Sequence, residues 1–275
     1  MSKDKKAKPL VSIITVCYNS EKYIIDTIES VLNQTYDNIE YIIVDGESTD
    51  NTIDIINEYE PKFNGDMKWI SEPDDGIYNA MNKGIEMSNG EIIGILNSDD
   101  WYELDTIAKV VHSFNGKDAD LVHGCMARYN YNDQLDSVYG KRKSFLEFAE
   151  KAPYNHPTCF VKKNIYNKLG KFNNKYKIIS DYNFMLKVFN SSELNVVFID
   201  EILTNFRLVG VTSTAKRVPI KDLYQILESN DYNKFKIYSG VFYRILQNNV
   251  AKIIKYLNLD FLVKLKRKLS SYHKK

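Results

Sequence analysis

Apolar positions along the first hundred residues follow two different periods. Short β-branched runs predict buried strands, and segments with an apolar residue every three or four positions predict helices. In chain order the pattern predicts a strand over 11–17, a helix over 24–32, a strand over 39–44, a helix capped by Asp50, a strand over 67–70, a helix over 76–87 and a strand over 91–96. This alternation predicts a parallel sheet with right-handed crossover connections.

The second half of the chain is less regular. Apolar runs predict strands over 119–124, 158–161 and 195–199, and a periodic segment that begins at Ser180 predicts a helix. Beyond about residue 221 the pattern is helical throughout. The expected fold class is α/β, with a Rossmann-like, mostly parallel sheet flanked by helices and a helical C-terminal extension.

Charge is distributed unevenly along the chain. The 275 residues carry a net charge of +1, but residues 231–275 hold 11 Lys/Arg and 2 Asp/Glu, whereas the remainder holds 26 and 34. The basic tail also has apolar residues at helical spacing. Such a helix suits an anionic membrane surface, and it suits equally well a helix packed on the domain with a solvated cationic face. No base-stacking motif accompanies the charge, so we expect no nucleic-acid partner.

Several features bear on localisation. The sequence contains no run of about 18 apolar residues, so we expect no transmembrane helix. The basic N-terminus lacks the apolar core of a signal peptide, and three widely spaced cysteines fit a reducing compartment. We therefore expect a cytoplasmic protein that is peripheral on the inner face of the cytoplasmic membrane if the tail binds lipid.

The predicted strand ends carry most of the candidate chemistry. Ligands of such sheets bind at the carboxyl ends of the strands. The residues just past four predicted strands are 18–19, 45–48, 72–75 and 97–100, and three of these loops contain carboxylates. Residues 17–20 contain no glycine, which argues against a Rossmann dinucleotide site. A bound diphosphate would need another partner, such as a divalent metal.

Two adjacent acids follow an apolar strand directly. Mg²⁺ and Mn²⁺ prefer oxygen ligands and often combine one or two carboxylates with substrate phosphates. Asp99 and Asp100 fit that role, although such a pair also forms turns and caps helices. Because two other strand ends are acidic, we favour the metal and expect Mn²⁺ or Mg²⁺ as the cofactor.

Three segments resemble glycosyltransferase family 2. Residues 11–52 are similar to its opening, residues 72–102 (EPDDGIYNAMNKG to NSDDWY) to its central signature, and residues 180–188 (SDYNFMLKV) to its acceptor-side motif. The resemblance implies a GT-A fold, a nucleotide-diphosphate sugar donor, a divalent metal and inversion at the anomeric carbon. We therefore expect a GT-A catalytic domain over 9–215, with a nucleotide-sugar-binding half (9–100) and an acceptor-side half (101–215), followed by a basic helical extension over 216–275.

The resemblance also implies roles for individual residues. Asp99 and Asp100 match the metal-binding element, and Asn97 stands where the family usually has an acid. Asp181 matches the catalytic base, and His156 matches a segment near the acceptor pocket. The residues that match nucleotide-sugar contacts are Thr15, Tyr18, Asn19, Asp45, Asp75, Asn82, Lys83 and Asp99.

Plainer interpretations of these residues stay open. Asp45 suits a turn, Asn82 and Lys83 suit a solvated helix face, and Asp181 suits a helix N-cap. Arg207 suits either a phosphate contact or an ordinary ion pair.

The reaction expected from these residues is metal-dependent transfer of a hexose, with inversion, to a saccharide or lipid-linked hydroxyl during surface polysaccharide biosynthesis. UDP is the favoured nucleotide, with GDP and dTDP open. The cation would stabilise charge on the leaving diphosphate, and Asp181 would take the proton of the acceptor hydroxyl. Two alternatives are a nucleotidyltransferase and a membrane-associated scaffold of the same fold that has lost catalysis.

Overall fold

A computed structural model describes residues 8–140, 152–209 and 219–256. Nine strands in these residues form one sheet: β1 (Val11–Cys17), β2 (Ile39–Asp45), β3 (Met67–Ser71), β4 (Ile92–Ile95), β5 (Trp101–Tyr102), β6 (Leu121–Tyr129), β7 (Leu135–Tyr139), β8 (Phe160–Lys162) and β9 (Val196–Arg207). Their order across the sheet is β3-β2-β1-β4-β8-β6-β9-β5, and β7 pairs with β6.

The same residues contain eight α-helices and two short 3₁₀ helices. The α-helices are α1 (Ile24–Leu32), α2 (Thr52–Tyr59), α3 (Ile77–Met87), α4 (Thr106–Lys117), α5 (Lys163–Leu169), α6 (Ser180–Asn190), α7 (Ile220–Ser229) and α8 (Lys234–Tyr256). The 3₁₀ helices are Glu60–Phe63 and His156–Thr158.

The first half confirms the predicted parallel alternation. β1 pairs in parallel with both β2 and β4, and β2 pairs in parallel with β3. Every residue of β1 is buried, as expected of a central strand that is covered on both faces. A Cβ at Gly84 of α3 would lie 2.4 Å from the Ile14 side chain, so glycine allows α3 to approach the sheet this closely.

The helices cover both faces of the sheet. Side chains of α1, α2 and α4 share one hydrophobic core with the strands, and side chains of α3, α5 and α6 share the core on the opposite face. This three-layer α/β arrangement confirms the predicted fold class.

Strand β8 joins the two halves of the sheet. It runs antiparallel to both β4 and β6, and β6 runs parallel to β9. As a result β4, β6 and β9 point the same way, and Arg207 at the end of β9 reaches the edge where β1, β2 and β4 end. The 3₁₀ helix His156–Thr158, just before β8, reaches this edge as well.

Two predicted strands of the second half are longer in the structure, and two observed strands were not predicted. β6 and β9 continue to Tyr129 and Arg207, because residues 126–129 pair with residues 204–207. Trp101 and Tyr102 form a short strand that pairs antiparallel with β9, and α4 begins only at Thr106. The hairpin strand β7 has no counterpart in the predicted elements.

The C-terminal helices are attached to the main body. Leu223, Ile226, Leu227 and Ile237 of α7 and α8 form a third core with Tyr182 and Leu186 of α6 and two residues that precede it. The helical prediction is confirmed as far as Tyr256, whereas the 215/216 boundary and residues 257–275 lie outside the described residues. Among the helices that are described, none is long and apolar enough to span a bilayer.

Candidate active site

The loops that follow β1, β2 and β4 meet at one edge of the sheet. The backbone N–H of Asn19 donates to the Ser48 hydroxyl (2.7 Å), and the Asn19 side-chain oxygen accepts from the backbone N–H of Thr49 (2.8 Å). The hydroxyls of Ser20 and Ser98 lie 2.8 Å apart. The structure therefore brings together three of the loops that carry predicted site residues.

The loops after β1 and β2 contain left-handed residues. Asn19 has a φ of +48° and Glu47 a φ of +66°. For residues other than glycine, such conformations cost free energy and concentrate at binding sites. Tyr18, next to Asn19, is 63% exposed, so its ring is open to a ligand while Asn19 holds the two loops together.

Two predicted contact residues lie below this surface. The buried Asp45 carboxylate accepts from the Ser48 hydroxyl (2.5 Å), the Ser48 backbone N–H (2.8 Å) and the Ser71 hydroxyl (2.7 Å). Thr15 is also buried and accepts from the Tyr41 hydroxyl (3.0 Å). Asp45 thus closes the turn after β2, as the turn interpretation predicts, and neither side chain is exposed.

The loop before α3 is held by lysines. Lys83 donates to the Pro73 carbonyl (2.9 Å) and pairs with the Glu72 carboxylate (2.8 Å), so it clamps the loop and does not form a solvated helix face. Asp75 is exposed, and its backbone carbonyl accepts from the Lys177 ammonium. Among the predicted contact residues of this segment, Asp75 is exposed, whereas Asn82 and Lys83 are partly buried.

Asn82 connects α3 to the segment 171–181. Its amide donates to the Phe172 carbonyl (2.8 Å) and accepts from the Phe172 backbone N–H (3.0 Å). This pairing uses both ends of the side-chain amide. The structure therefore gives Asn82 a fixed bridging contact, and a nucleotide contact stays a prediction.

Asp99 and Asp100 occupy different environments after β4. Asp100 is fully buried and accepts from the Arg207 backbone N–H (3.0 Å) and the Asn97 amide (3.2 Å). Asp99 is partly exposed. Burial raises the pKa of Asp99, and burial together with the charge of Asp99 raises the pKa of Asp100 well above its ordinary value. Asp99 is therefore the acid of the pair that a ligand can reach.

Arg207 is engaged in ion pairs, as one of its two interpretations predicts. Its guanidinium donates to Asp26 (2.6 Å), to Asp133 (2.9 Å) and to the backbone carbonyl of Asp99 (3.3 Å). It also lies 4.4 Å from the centroid of the Trp101 ring, which is a cation–π distance. These contacts fix the backbone at Asp99 and leave the guanidinium little capacity for a phosphate.

Asp181 lies in the first turn of α6. The N-cap residue is Ile179 and makes no side-chain cap bond, so the N-cap interpretation of Asp181 does not describe this helix. The Asp181 Oδ1 accepts from the Tyr78 hydroxyl (2.7 Å). His156 packs edge-on against Phe172, and burial lowers its pKa although the charge of Asp181 partly opposes that shift. The structure thus gathers Tyr78, His156 and Asp181 around Phe172, and their acceptor-side role stays a prediction.

Two cavities lie away from these carboxylates. One of about 710 Å³ opens at the amino ends of β1 and β4 and is lined by Glu91, Phe114 and Lys163, among others. Another of about 400 Å³ lies beside α1 and β5, where Trp101 and Arg207 line it. Neither is lined by Asp99 or Asp181, so a single cleft shared by these two acids stays a prediction.

The sequence analysis gave no role to Tyr78 or Lys177, which contact the predicted site residues Asp181 and Asp75. Tyr78 stands one helical turn before Asn82, so the two share a face of α3. That spacing was available in the sequence, but an aromatic residue at helical spacing is typical of a core position. Lys177 gave no signal, because its contact with Asp75 joins residues far apart in the chain.

Comparison with known proteins identifies the family. The sequence model of glycosyl transferase family 2 matches residues 12–186. The PGL/p-HBAD biosynthesis glycosyltransferase of Mycobacterium bovis is 27% identical over 224 residues, which are 78% of this chain and 86% of that protein.

Solved structures share the fold. S. aureus TarS 1-349, in complex with UDP-GlcNAc, has a TM-score of 0.65 at 18% identity, covering 84% of this chain and 70% of that chain. The mannosyltransferase PcManGT from Pyrobaculum calidifontis, in complex with GDP-Man and Mn²⁺, has a TM-score of 0.61 at 16% identity, covering 96% and 84%. These likenesses confirm the GT-A fold.

The matched region runs from β1 into α6 and so includes the loops at the sheet edge, the Asp99-Asp100 pair and Asp181. Its agreement with glycosyltransferase relatives sets aside the nucleotidyltransferase alternative. The chain is a glycosyltransferase and belongs to glycosyl transferase family 2.

Proposed function

We propose that the enzyme transfers a hexose, with inversion and with the aid of a divalent metal, from a nucleotide-diphosphate sugar to a hydroxyl of a saccharide or lipid-linked acceptor. The observation that carries the proposal is the Asp181 carboxylate, which lies in the first turn of α6 with one oxygen bonded to Tyr78. A carboxylate within hydrogen-bond reach of an acceptor hydroxyl can take its proton as the new bond forms.

The donor is proposed to lie over the loops that follow β1 to β4. Tyr18 offers an exposed ring to a base, and Asp75 and Asp99 offer carboxylates at the same edge. UDP is the preferred nucleotide and surface polysaccharide the preferred product. The UDP-GlcNAc bound to TarS and the GDP-Man bound to PcManGT support a nucleotide-sugar donor in this fold.

The residues beside β4 fit a hard cation. Hard cations often combine one or two carboxylates with substrate phosphates. Asp99 supplies a reachable carboxylate, and the buried Asn97 Oδ1 has no hydrogen-bond partner among the described residues. Bound Mn²⁺ or Mg²⁺ would supply positive charge for the leaving diphosphate.

The remaining chemistry falls to protein side chains. Asp181 takes the proton from the acceptor hydroxyl as that oxygen bonds to the anomeric carbon, while the bond from this carbon to the diphosphate oxygen breaks. Because attack comes from the face opposite the leaving group, the anomeric configuration inverts. Buried Asp100 and Arg207 hold the Asp99 backbone in place during the step.

The reaction is tested with Asp181→Asn and with Asp54→Asn, a first-turn acid of α2, as the matched control. A panel of UDP-, GDP- and dTDP-sugars with MnCl₂ is first screened by thermal shift to select the donor. We expect Asp181→Asn to keep the thermal shift but to lose transfer by about 10²- to 10⁴-fold, the range of general base catalysis. The control should match the wild type.

Two outcomes would contradict the proposal. Full transfer by Asp181→Asn would show that Asp181 is not the base. Undiminished transfer after treatment with EDTA would show that the reaction needs no divalent cation. Donor binding without transfer or hydrolysis in the wild type would favour the alternative of an inactive scaffold.

A membrane surface is proposed as the second partner. Helix α8 packs against α7 through Ile237, while Phe235 and Phe242 are 82% and 67% exposed. Exposed aromatic side chains close in sequence to Lys234 and Lys236 complement an anionic lipid surface, where a lipid-linked acceptor would also lie. On this proposal the enzyme acts on the inner face of the cytoplasmic membrane.

A further inference from the structure

The Tyr78 side chain reaches from α3 to the segment that carries Asp181. Its ring is buried against Phe172, with ring centroids 5.7 Å apart. Its hydroxyl lies 2.7 Å from the Asp181 Oδ1 and 2.7 Å from the backbone carbonyl of Ile178. The sequence resemblance gave this tyrosine no role, and the proposed reaction does not use it.

We propose that Tyr78 is a positioning residue, which holds one oxygen of Asp181 so that the other faces the acceptor hydroxyl. This inference rests on the proposed function, in which Asp181 is the base. A base must lie within hydrogen-bond reach of the proton that it takes, and a carboxylate that rotates freely meets this condition only part of the time.

The hydroxyl of Tyr78 is built to donate. Burial and the charge of Asp181 raise the pKa of Tyr78 well above its ordinary value, so the hydroxyl keeps its proton. Hydrogen bonds to a carboxylate are stronger than those to a neutral carbonyl, so the proton is directed to Oδ1 while Asp181 is ionised. Among the described residues the hydrogen bond to Asp181 goes to Oδ1, which leaves Oδ2 for the acceptor.

The Ile178 carbonyl gives the hydroxyl a second acceptor. After Asp181 has taken the acceptor proton it is neutral, and a neutral carboxyl group attracts the tyrosine proton less strongly. The hydroxyl can then donate to Ile178 at the same 2.7 Å distance without moving its ring. Neither protonation state of Asp181 leaves the Tyr78 hydroxyl unbonded in its buried site.

The frame around Tyr78 is held on both sides of this contact. Asn82, one turn further along α3, exchanges two hydrogen bonds with the Phe172 backbone. The Lys177 ammonium bonds to the Asp75 carbonyl just before the helix. The distance between Tyr78 and Asp181 is therefore set by α3 and segment 171–181 together, so the hydroxyl can act as a fixed reference.

The test is Tyr78→Phe, which removes the hydroxyl and keeps the ring. The control is Tyr182→Phe, because Tyr182 neighbours Asp181 on α6 and its buried hydroxyl has no hydrogen-bond partner in the part of the chain that the structure describes. The assay measures nucleotide release from the donor selected by thermal shift, with MnCl₂ and with water as the acceptor. We expect Tyr78→Phe to lower kcat by about 10- to 100-fold, the cost of a misplaced catalytic group, with the donor KM unchanged. Tyr182→Phe should keep the wild-type kcat.

A double-mutant cycle separates positioning from a general effect on the fold. In the Asp181→Asn background, Tyr78→Phe should leave the residual rate unchanged within about twofold, because the group that it positions is gone. An equal loss in both backgrounds, a raised donor KM or an unchanged kcat in the single variant would each overturn the inference. If Asp181→Asn itself keeps full activity, the proposed function fails. If Asp181→Asn is inactive and Tyr78→Phe is fully active, only this inference fails.

Discussion

Carboxylates of this chain differ mainly in how many donors surround them. Glu40 in β2 accepts four hydrogen bonds among the described residues: from the Ser12 hydroxyl (2.6 Å), from the backbone and side-chain amides of Asn89 (2.7 and 2.6 Å) and from the Lys68 ammonium (2.7 Å). Burial alone would raise the pKa of Glu40, but these donors together lower it to about 2. Glu40 is therefore a structural anion that joins β1, β2, β3 and the loop before β4.

Replacing Glu40 with glutamine tests this role through the pH dependence of stability. A pKa lowered in the folded state stabilises the fold above the unfolded pKa, and that contribution is lost as pH falls through the folded value. We expect Glu40→Gln to lower the free energy of unfolding by on the order of 2 to 3 kcal/mol at pH 7. In urea titrations the difference from the wild type should shrink between pH 4.5 and pH 2.

Glu58→Gln, at an exposed ion pair on α2, is the matched control and should change stability by less than about 1 kcal/mol. A pH-independent loss in Glu40→Gln would show that shape, and not charge, accounts for the effect.

The sequence indicated which acids gather at the strand ends but not which of them a ligand can reach. Asp45 and Asp100 look as available as Asp99 in the sequence. Their enclosure depends on Ser71 and Arg207, which come from distant parts of the chain. Donors supplied by long-range contacts leave no local pattern, so exposure at these positions could not be predicted.

At the scale of elements, α3 links the loop after β3 to segment 171–181. Lys83 clamps the loop after β3, and Asn82 bonds to the Phe172 backbone on the segment that leads to Asp181. The helix itself was predicted to within a residue, because Gly76, at a φ of +111°, marks its start and its apolar spacing is regular. Its bridging role was missed, since the partner residues follow about 90 positions later.

Asn82→Ala tests the link. The substitution leaves the Phe172 backbone without its two side-chain partners, so we expect a loss of about 1 to 3 kcal/mol in the free energy of unfolding. Nucleotide release should also slow, because segment 171–181 carries Asp181. Asn57→Ala, at an exposed position of α2, is the control and should behave as the wild type. Unchanged stability in Asn82→Ala would contradict a bridging role.

Strand positions were predicted more accurately where the paired strands are close in sequence. β1 to β4 are joined by single crossover helices, so local periodicity predicted their positions closely. β5 pairs with residues 204–205, about a hundred positions away, and β9 extends to Arg207 only because β6 accompanies it. A two-residue strand has no periodicity of its own, so only the folded sheet reveals β5.

On the scale of the whole molecule, the net charge changes sign along the chain: residues 231–275 are basic, and the remainder is acidic. α8 turns Ile237 toward α7 and leaves Phe235, Tyr238 and Phe242 exposed. One side of this helix packs on the body, as the packed-helix interpretation predicts, and membrane binding by the other side stays a prediction.

Membrane binding is tested by co-sedimentation with vesicles of phosphatidylcholine containing phosphatidylglycerol. We expect the wild type to bind at low salt and Phe235→Ser/Phe242→Ser to bind at least about tenfold more weakly, because two exposed aromatic side chains no longer enter the interface. Tyr131→Ser/Leu135→Ser removes exposed apolar groups at the β6–β7 hairpin and serves as the control. Equal binding by both double variants, or binding to neutral vesicles alone, would contradict the proposal.

The pairing of β9 with the distant strand β6 also affects the order in which the molecule folds. β1 to β4 can associate through short connections, whereas β9 must find β6 across some 75 intervening residues, which carries a larger loop-closure entropy. The two tryptophans lie on either side of this division: Trp69 is in β3, and Trp101 is in β5, which pairs with β9. During refolding, fluorescence from Trp69 should therefore report the association of β1 to β4 early, and fluorescence from Trp101 should report the pairing of β5 with β9 later.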